Sequence, residues 1–410
     1  MISNNQHKQA TALFASHRNI WRAFVVLTLL LAGVTVALAQ PVSRERARAI
    51  HDRLTGVPAT EADLTTMATM NALQAADYAI TDGENSRYFA TVTLKNFAAP
   101  WTNRDQSVFV PLNDYTTLVI GMVINEVPFN QILSIDRLYV DAGQSLPTAS
   151  SNAHYLALET RMMAPDFDPM TELTAVPQST AYPMLNPATE ATAGAMTTRA
   201  ASEAFFIAGT NRAMFRFTLM NHMCMDLEQV HDTSIVPDRI RQDVSRSPGA
   251  DSRVFLNNCI GCHAGMDPLA QAYAYHNFNE DTGAIEYTDG TVQPKYFNNE
   301  ETFADGFVTP DNTWSNYWRE GQNSLLGWDT QGLNLPGSGT GVKSLGEELA
   351  GTRAFAECQV TKVFNAVCLR NPVDSTDRAR VQTMTNSFIG NNYNLKQVFA
   401  ESADFCTQGL

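Results

Sequence analysis

The string Cys259-Ile-Gly-Cys-His263 constrains this chain more than any other feature. Two thiols three residues apart, followed at once by an imidazole, suit a helix, where one turn brings Cys259, Cys262 and His263 to one side. This is the attachment pattern of a c-type haem. The thiols add across the two vinyl groups of one macrocycle, and the adjacent histidine meets the iron as its proximal ligand. One covalently attached haem c is therefore expected, held by Cys259 and Cys262, with His263 on the iron. Competing readings fit less well. A zinc site needs a second ligand pair, and Cys358 and Cys368 stand ten residues apart, the wrong spacing for a knuckle or ribbon. A thioredoxin-like dithiol follows a buried strand, whereas Asn257 and Asn258 precede the first cysteine. A plain disulfide between Cys259 and Cys262 is the other alternative.

The N-terminus points to the compartment where such haems are attached. Lys8, Arg18 and Arg22 form a basic stretch with no acidic residue before Glu45. Ala23 to Ala39 is an apolar run, and Ala37-Leu38-Ala39 fits the small-x-small cleavage rule, so residues 1–39 read as a signal peptide. A periplasmic protein is expected, with an uncleaved N-terminal anchor as the alternative. If the signal is cleaved, no other apolar run is long enough to span a bilayer. The mature chain then holds 25 basic and 42 acidic residues, a net charge of −17. Such a surface repels nucleic acid and anionic membranes and suits a basic redox partner protein.

Six cysteines fit an oxidising space. With two given to haem, Cys224, Cys358, Cys368 and Cys406 can pair in three ways. On one helix Cys358 and Cys368 would lie about 15 Å apart at 1.5 Å per residue, beyond the reach of a disulfide. Each is therefore expected to bond elsewhere, with Cys406 taking one of them.

The expected fold class is mainly α. Residues 40–140 read as a helical N-terminal domain. Thr60 offers an N-cap ahead of Glu61 and Asp63. Val108 to Ile124 is apolar without a clear period, and Ile132, Ile135 and Leu138 restart a helical spacing after Pro128. Residues 141–198 are rich in Pro, Ser, Thr and Ala and read as an irregular linker or wrapping segment. Residues 199–410 read as a cytochrome-c-like haem domain with a C-terminal helical part. Within it, a helix is expected from Arg199 to Asp226, and Asp267-Pro268 should stop or redirect the haem helix. Residues 281–345, rich in Gly, Asn and aromatics, read as loops with short strands. Gly337-Ser-Gly-Thr-Gly341 lacks the Gly-Lys-Ser/Thr ending of a phosphate loop and reads as a turn before a helix at Lys343.

Several strings together resemble the planctomycete-type cytochrome c protein families. Arg53-Leu-Thr-Gly-Val-Pro-Ala-Thr60, Pro111-Leu-Asn-Asp-Tyr115 and Pro128-Phe129 are similar to one of their domains. Asn211-Arg212, the haem string, Met266-Asp-Pro-Leu269 and Phe278-Asn279 resemble their haem-bearing domain, and Leu345 to Leu369 with Tyr393-Asn-Leu-Lys396 their C-terminal helical domain. Only the haem string is specific. The resemblance implies a mainly helical, exported, single-haem cytochrome and no particular substrate.

The sixth iron position separates the functional alternatives. Met384 lies downstream, where small cytochromes draw a methionine. Met223 sits in a run of soft donors, Met220-Asn-His222-Met223-Cys224-Met225, and His276 follows the proximal histidine by thirteen residues. Met266 stands too near His263 to cross to the far face of a haem. Electron transfer is the expected function, with a catalyst less favoured. The alternatives are a haem enzyme or a gas or ligand sensor with an open sixth position, or an envelope structural protein.

Overall fold

Ser43 opens the first helix, its hydroxyl accepting from the Arg46 amide to cap α1 (Arg44–Thr55), and Gly56 closes it in the left-handed region at φ 74°. Ala47, Ile50, His51 and Leu54, spaced as one helical stripe, are the residues it buries. The computed structural model describes residues 40–185, 190–207, 209–240, 252–297 and 307–410; the expected signal peptide, residues 1–39, lies outside them. The described residues are 56% helical and 7% strand, so the fold is mainly α.

Thr60 caps α2 (Glu61–Met67), and a reciprocal Asn71–Gln74 capping box opens α3 (Ala72–Thr81). The ambiguous apolar stretch becomes α4 (Asp114–Ile124), all eleven of whose residues are buried. A helix enclosed on every side shows no amphipathic period, which explains its ambiguity.

The helix expected after Pro128 does not form. A short 3₁₀ turn, Phe129–Leu133, leads instead into β1 (Leu138–Asp141), with every residue buried. The buried strand needs partners for its backbone groups, and β2 (Leu173–Val176) supplies them in antiparallel register, Leu138 opposite Val176. Between these strands runs α5 (Ala153–Met162).

The stretch 141–198 is thus more than a connection. Residues 191–198 are all buried. Their small side chains let the backbone pass through the core, and Thr197 serves it there: its hydroxyl accepts from the Ala193 amide at 2.7 Å and donates to Gln178 at 2.7 Å.

The helix expected from 199 to 226 is two, α6 (Arg199–Phe205) and α7 (Arg212–His222). Asn211, at φ 57°, turns the chain between them and donates to the carbonyls of Tyr273 and His276. A wide turn, Phe255–Cys259, leads into α8 (Ile260–Ala270), which carries Pro268 inside it rather than stopping there. Two hairpins follow, β3 (His276–Asn279) with β4 (Ala284–Tyr287), and β5 (Thr313–Ser315) with β6 (Ser338–Thr340). The chain ends in α9 (Gly341–Ala350), α10 (Arg353–Cys368), α11 (Ser375–Gly390) and α12 (Leu395–Cys406).

First and last helices close on one another. α12 packs against α1, α3 and α10. Arg46 pairs with Asp404 at 2.7 Å, and Arg53 donates to the Cys406 carbonyl. One apolar cluster runs from Val42 to Ala403, so the expected domains at 40–140 and 199–410 share a core. Two disulfides join Cys224 to Cys358 and Cys368 to Cys406, each with Cα atoms 5.3 Å apart. Cys358 and Cys368 both lie on α10 and bond to different partners, as their spacing requires.

Candidate functional site

Cys259, Cys262 and His263 open α8, and both cysteines are free and half-buried. The opposite face of the helix is fixed by two glycines. A Cβ at Gly261 would lie 2.1 Å from His231 Nε2, and one at Gly265 would lie 1.9 Å from Trp318 Nε1. Rings therefore rest directly on the backbone there, and the loop before α8 is tied down by Asp232, whose amide donates to the Gly261 carbonyl at 2.9 Å. His263 lies on the side of the helix opposite Gly261, and the Cys262 thiol donates to the Leu227 carbonyl at 3.6 Å. Leu256, one turn earlier, is 54% exposed, leaving an apolar side chain beside the two thiols.

The charge around this face is arranged on one line. His263 Nδ1 lies 3.1 Å from both carboxylate oxygens of Asp267, one helical turn on. Asp267 is buried and receives a two-pronged ion pair from Arg212, at 2.7 and 2.9 Å. Burial pushes the Asp267 carboxyl up, but the charge of Arg212 and the hydrogen bonds from His263 and Arg212 outweigh it and hold it below the usual range. With the Asp267 carboxylate accepting from Nδ1, Nε2 is the ring nitrogen left without a hydrogen-bond partner among the described residues.

Burial pushes the Cys262 thiol up, and Glu228 and Asp226 add to the effect. That direction is away from the depressed value of a reactive thiolate at Cys262. Among the described residues no three His, Cys, Asp or Glu side chains gather as a metal cluster. A haem brings four nitrogen donors of its own and asks the chain for an axial histidine and two thiols. The free thiols, the unbonded Nε2 and the exposed Leu256 fit that group.

No family model matches this sequence, and no curated protein or solved structure is detectably similar to it. The reading of the site thus rests on its own chemistry.

The three candidate distal ligands are all buried. Met384 is fully buried on α11, where the Ser402 hydroxyl donates to its sulfur at 3.6 Å. Met223 is buried at the end of α7, next to disulfide-bonded Cys224. His276 lies in β3 with its ring stacked on Phe206, and Nε2 donates to the Ala191 carbonyl at 2.9 Å. Burial pushes that imidazole down to about 4. The ring and polar contacts of His263 are with Phe255 and Asp267.

His222 belongs to a second buried cluster. Its Nε2 lies 2.6 Å from the Tyr115 hydroxyl, and Trp101 and Phe355 flank the ring. Burial, then Lys362, pushes it well below the usual range. Trp314 and Trp318 are core residues, Trp314 donating to Ser344. Asp166 and Glu172 both pair with Arg161. Sequence reasoning missed Asp267 as a partner of His263 and read it as a helix stop. The i, i+4 spacing of the two was the available signal.

Proposed function

We propose that this chain is an exported c-type cytochrome that carries one covalent haem c and transfers electrons in the periplasm. The single observation that supports this reading is the state of the six thiols. Four are joined in disulfides, and the two left free stand on one turn beside a histidine with an unbonded Nε2. Cys259 and Cys262 would anchor the macrocycle and His263 would hold the iron, which supplies a one-electron couple when bound. The chain's own part is to hold the imidazole in one tautomer, through Asp267, and to keep α8 rigid between His231 and Trp318. The short strings at Asn211-Arg212 and Met266-Asp-Pro-Leu269, which resemble the planctomycete-type cytochrome c families, meet at the Arg212–Asp267 pair. The acidic surface of the mature chain suits a basic redox partner.

A haem enzyme or ligand sensor with an open sixth position is the second reading. It draws support from Met384 and His276, which are engaged in the core by Ser402 and the Ala191 carbonyl.

The test is the mass and absorption spectrum of the mature protein made with haem-attachment machinery, oxidised and reduced, with and without carbon monoxide. A mass gain of one haem with a low-spin spectrum that the gas leaves unmoved supports the electron carrier. A shift on adding the gas supports the second reading, and absence of covalent haem sinks both. His263→Ala should keep the covalent haem and lose the low-spin spectrum.

A further inference from the structure

The pairing of Asp267 with both His263 and Arg212 goes beyond holding a helix together. We infer that Asp267 is a positioning residue that sets the electron donation of His263 to a haem iron, and that Arg212 restrains it. The inference rests on the haem reading above.

Three features of the geometry support it. First, both Asp267 oxygens stand equally far from Nδ1, at 3.1 Å, so the imidazole faces the carboxylate as a whole. Second, the Asp267 side chain is only 4% exposed, so its charge is little screened by water at the ring. Third, the guanidinium of Arg212 grips the same two oxygens, Nε on one and Nη2 on the other. A histidine that gives its second ring proton to a carboxylate becomes a stronger donor through the other nitrogen. A stronger, more anionic donor stabilises ferric over ferrous iron and lowers the reduction potential. Arg212 withdraws part of that charge and moves the potential back up. Carboxylate and guanidinium would thus act with opposite signs on a bound haem iron, both through His263.

Opposite signs make the inference testable apart from a structural role. Redox titration of the haem-loaded full chain is compared for Asp267→Asn, Asp267→Glu and Arg212→Gln, with covalent haem content measured for each. Asp267→Asn should raise the ferrous-to-ferric ratio at a fixed solution potential about tenfold, equal to about 59 mV for one electron. Arg212→Gln should shift the ratio the other way, and Asp267→Glu should return it towards the parent value. If Asp267→Asn does not fold, the sign of Arg212→Gln decides. Shifts of the same sign in both, or no shift beyond twofold in either, would overturn the inference and leave the haem reading standing. Absence of covalent haem in the parent protein would remove both together.

Discussion

The terminal bundle and the region around α8 both bury a helix, but they do it by opposite means. In the bundle of α1, α3, α10 and α12, side chains fill the space. Ala75, Ala76 and Ala79 of α3 are buried with Phe399 of α12, whose ring meets Phe89 and Phe97 at 5.1 and 5.3 Å. Around α8 the helix supplies bare backbone at Gly261 and Gly265, and its neighbours supply the rings. The bundle is symmetrical in its demands, since any well-shaped apolar residue serves. The α8 region is one-sided, packed at Gly261 and Gly265 against rings, while His263 lies on the opposite side. A scaffold tolerates exchange of similar residues, whereas a site depends on particular atoms.

The largest test of that contrast is to cut the covalent links. Cys224–Cys358 ties the end of α7 to α10 across a separation of 134 residues, while Cys368–Cys406 closes 38 residues inside the bundle. On the chain-entropy account, losing the first should cost about 5 kcal/mol and the second about 4 kcal/mol. Denaturant titrations of Cys358→Ser and Cys368→Ser measure both. A near-zero cost for Cys358→Ser would contradict the chain-entropy account and mean that the unfolded chain already holds the two segments close.

Acid should separate the regions next. His276, beside α7 and α8, is held neutral down to about 4 because it is buried. The unfolded side chain titrates near 6.5, so between those values only the unfolded state takes up the proton. Stability should therefore fall as pH drops from about 6.5 to about 4, by on the order of 3 kcal/mol, and His276→Gln should flatten the curve by that amount. On α11 the sign is the same, but the window lies lower. A hydrogen bond from Arg370 holds the Asp377 carboxyl down to about 2, against the opposing effect of burial. Its contribution is present above the ordinary carboxylate range and is lost as pH falls from about 3.8 to about 2. Unfolding monitored across pH 7 to 4 should leave the Asp377 contribution intact, and a matching loss in Asp377→Asn over that range would contradict this division.

The smallest effect comes from exchanging glycine and alanine. Gly265→Ala forces a methyl group onto Trp318 and should cost about 1–3 kcal/mol by overpacking. Ala76→Gly in the bundle should cost about 2 kcal/mol, split about equally between helix propensity and one lost buried methyl. Thermal or denaturant midpoints of the two variants compare them directly. A gain in stability from either exchange would erase the distinction between side-chain and backbone packing.

Much of the bundle was legible from spacing, because an amphipathic helix writes its buried face into the sequence. Ala47, Ile50 and Leu54 of α1 fall on one buried stripe in this way. The elements that were misread lack such a record. Leu138–Asp141 is buried on every side, so its spacing fits helix or strand, and the partner that decides it lies 35 residues away at Leu173–Val176. Residues 191–198 look like a connection because Ala and Thr carry little apolar area, yet they are core. The mid-helix Pro268 was read as a stop, whereas α8 continues to Ala270.

By itself the sequence determined the mainly helical class, the exclusive bonding of Cys358 and Cys368 to other partners, and the one turn that holds Cys259, Cys262 and His263. Each follows from local geometry, since helix rise and the reach of a side chain are fixed within a few residues. Only the tertiary structure decided which cysteines meet, which faces of α8 are closed, and that Arg212, 55 residues before Asp267, grips the carboxylate beside His263. Those outcomes depend on distant segments meeting in one core, and the energy that selects them belongs to the packed whole rather than to any stretch of chain.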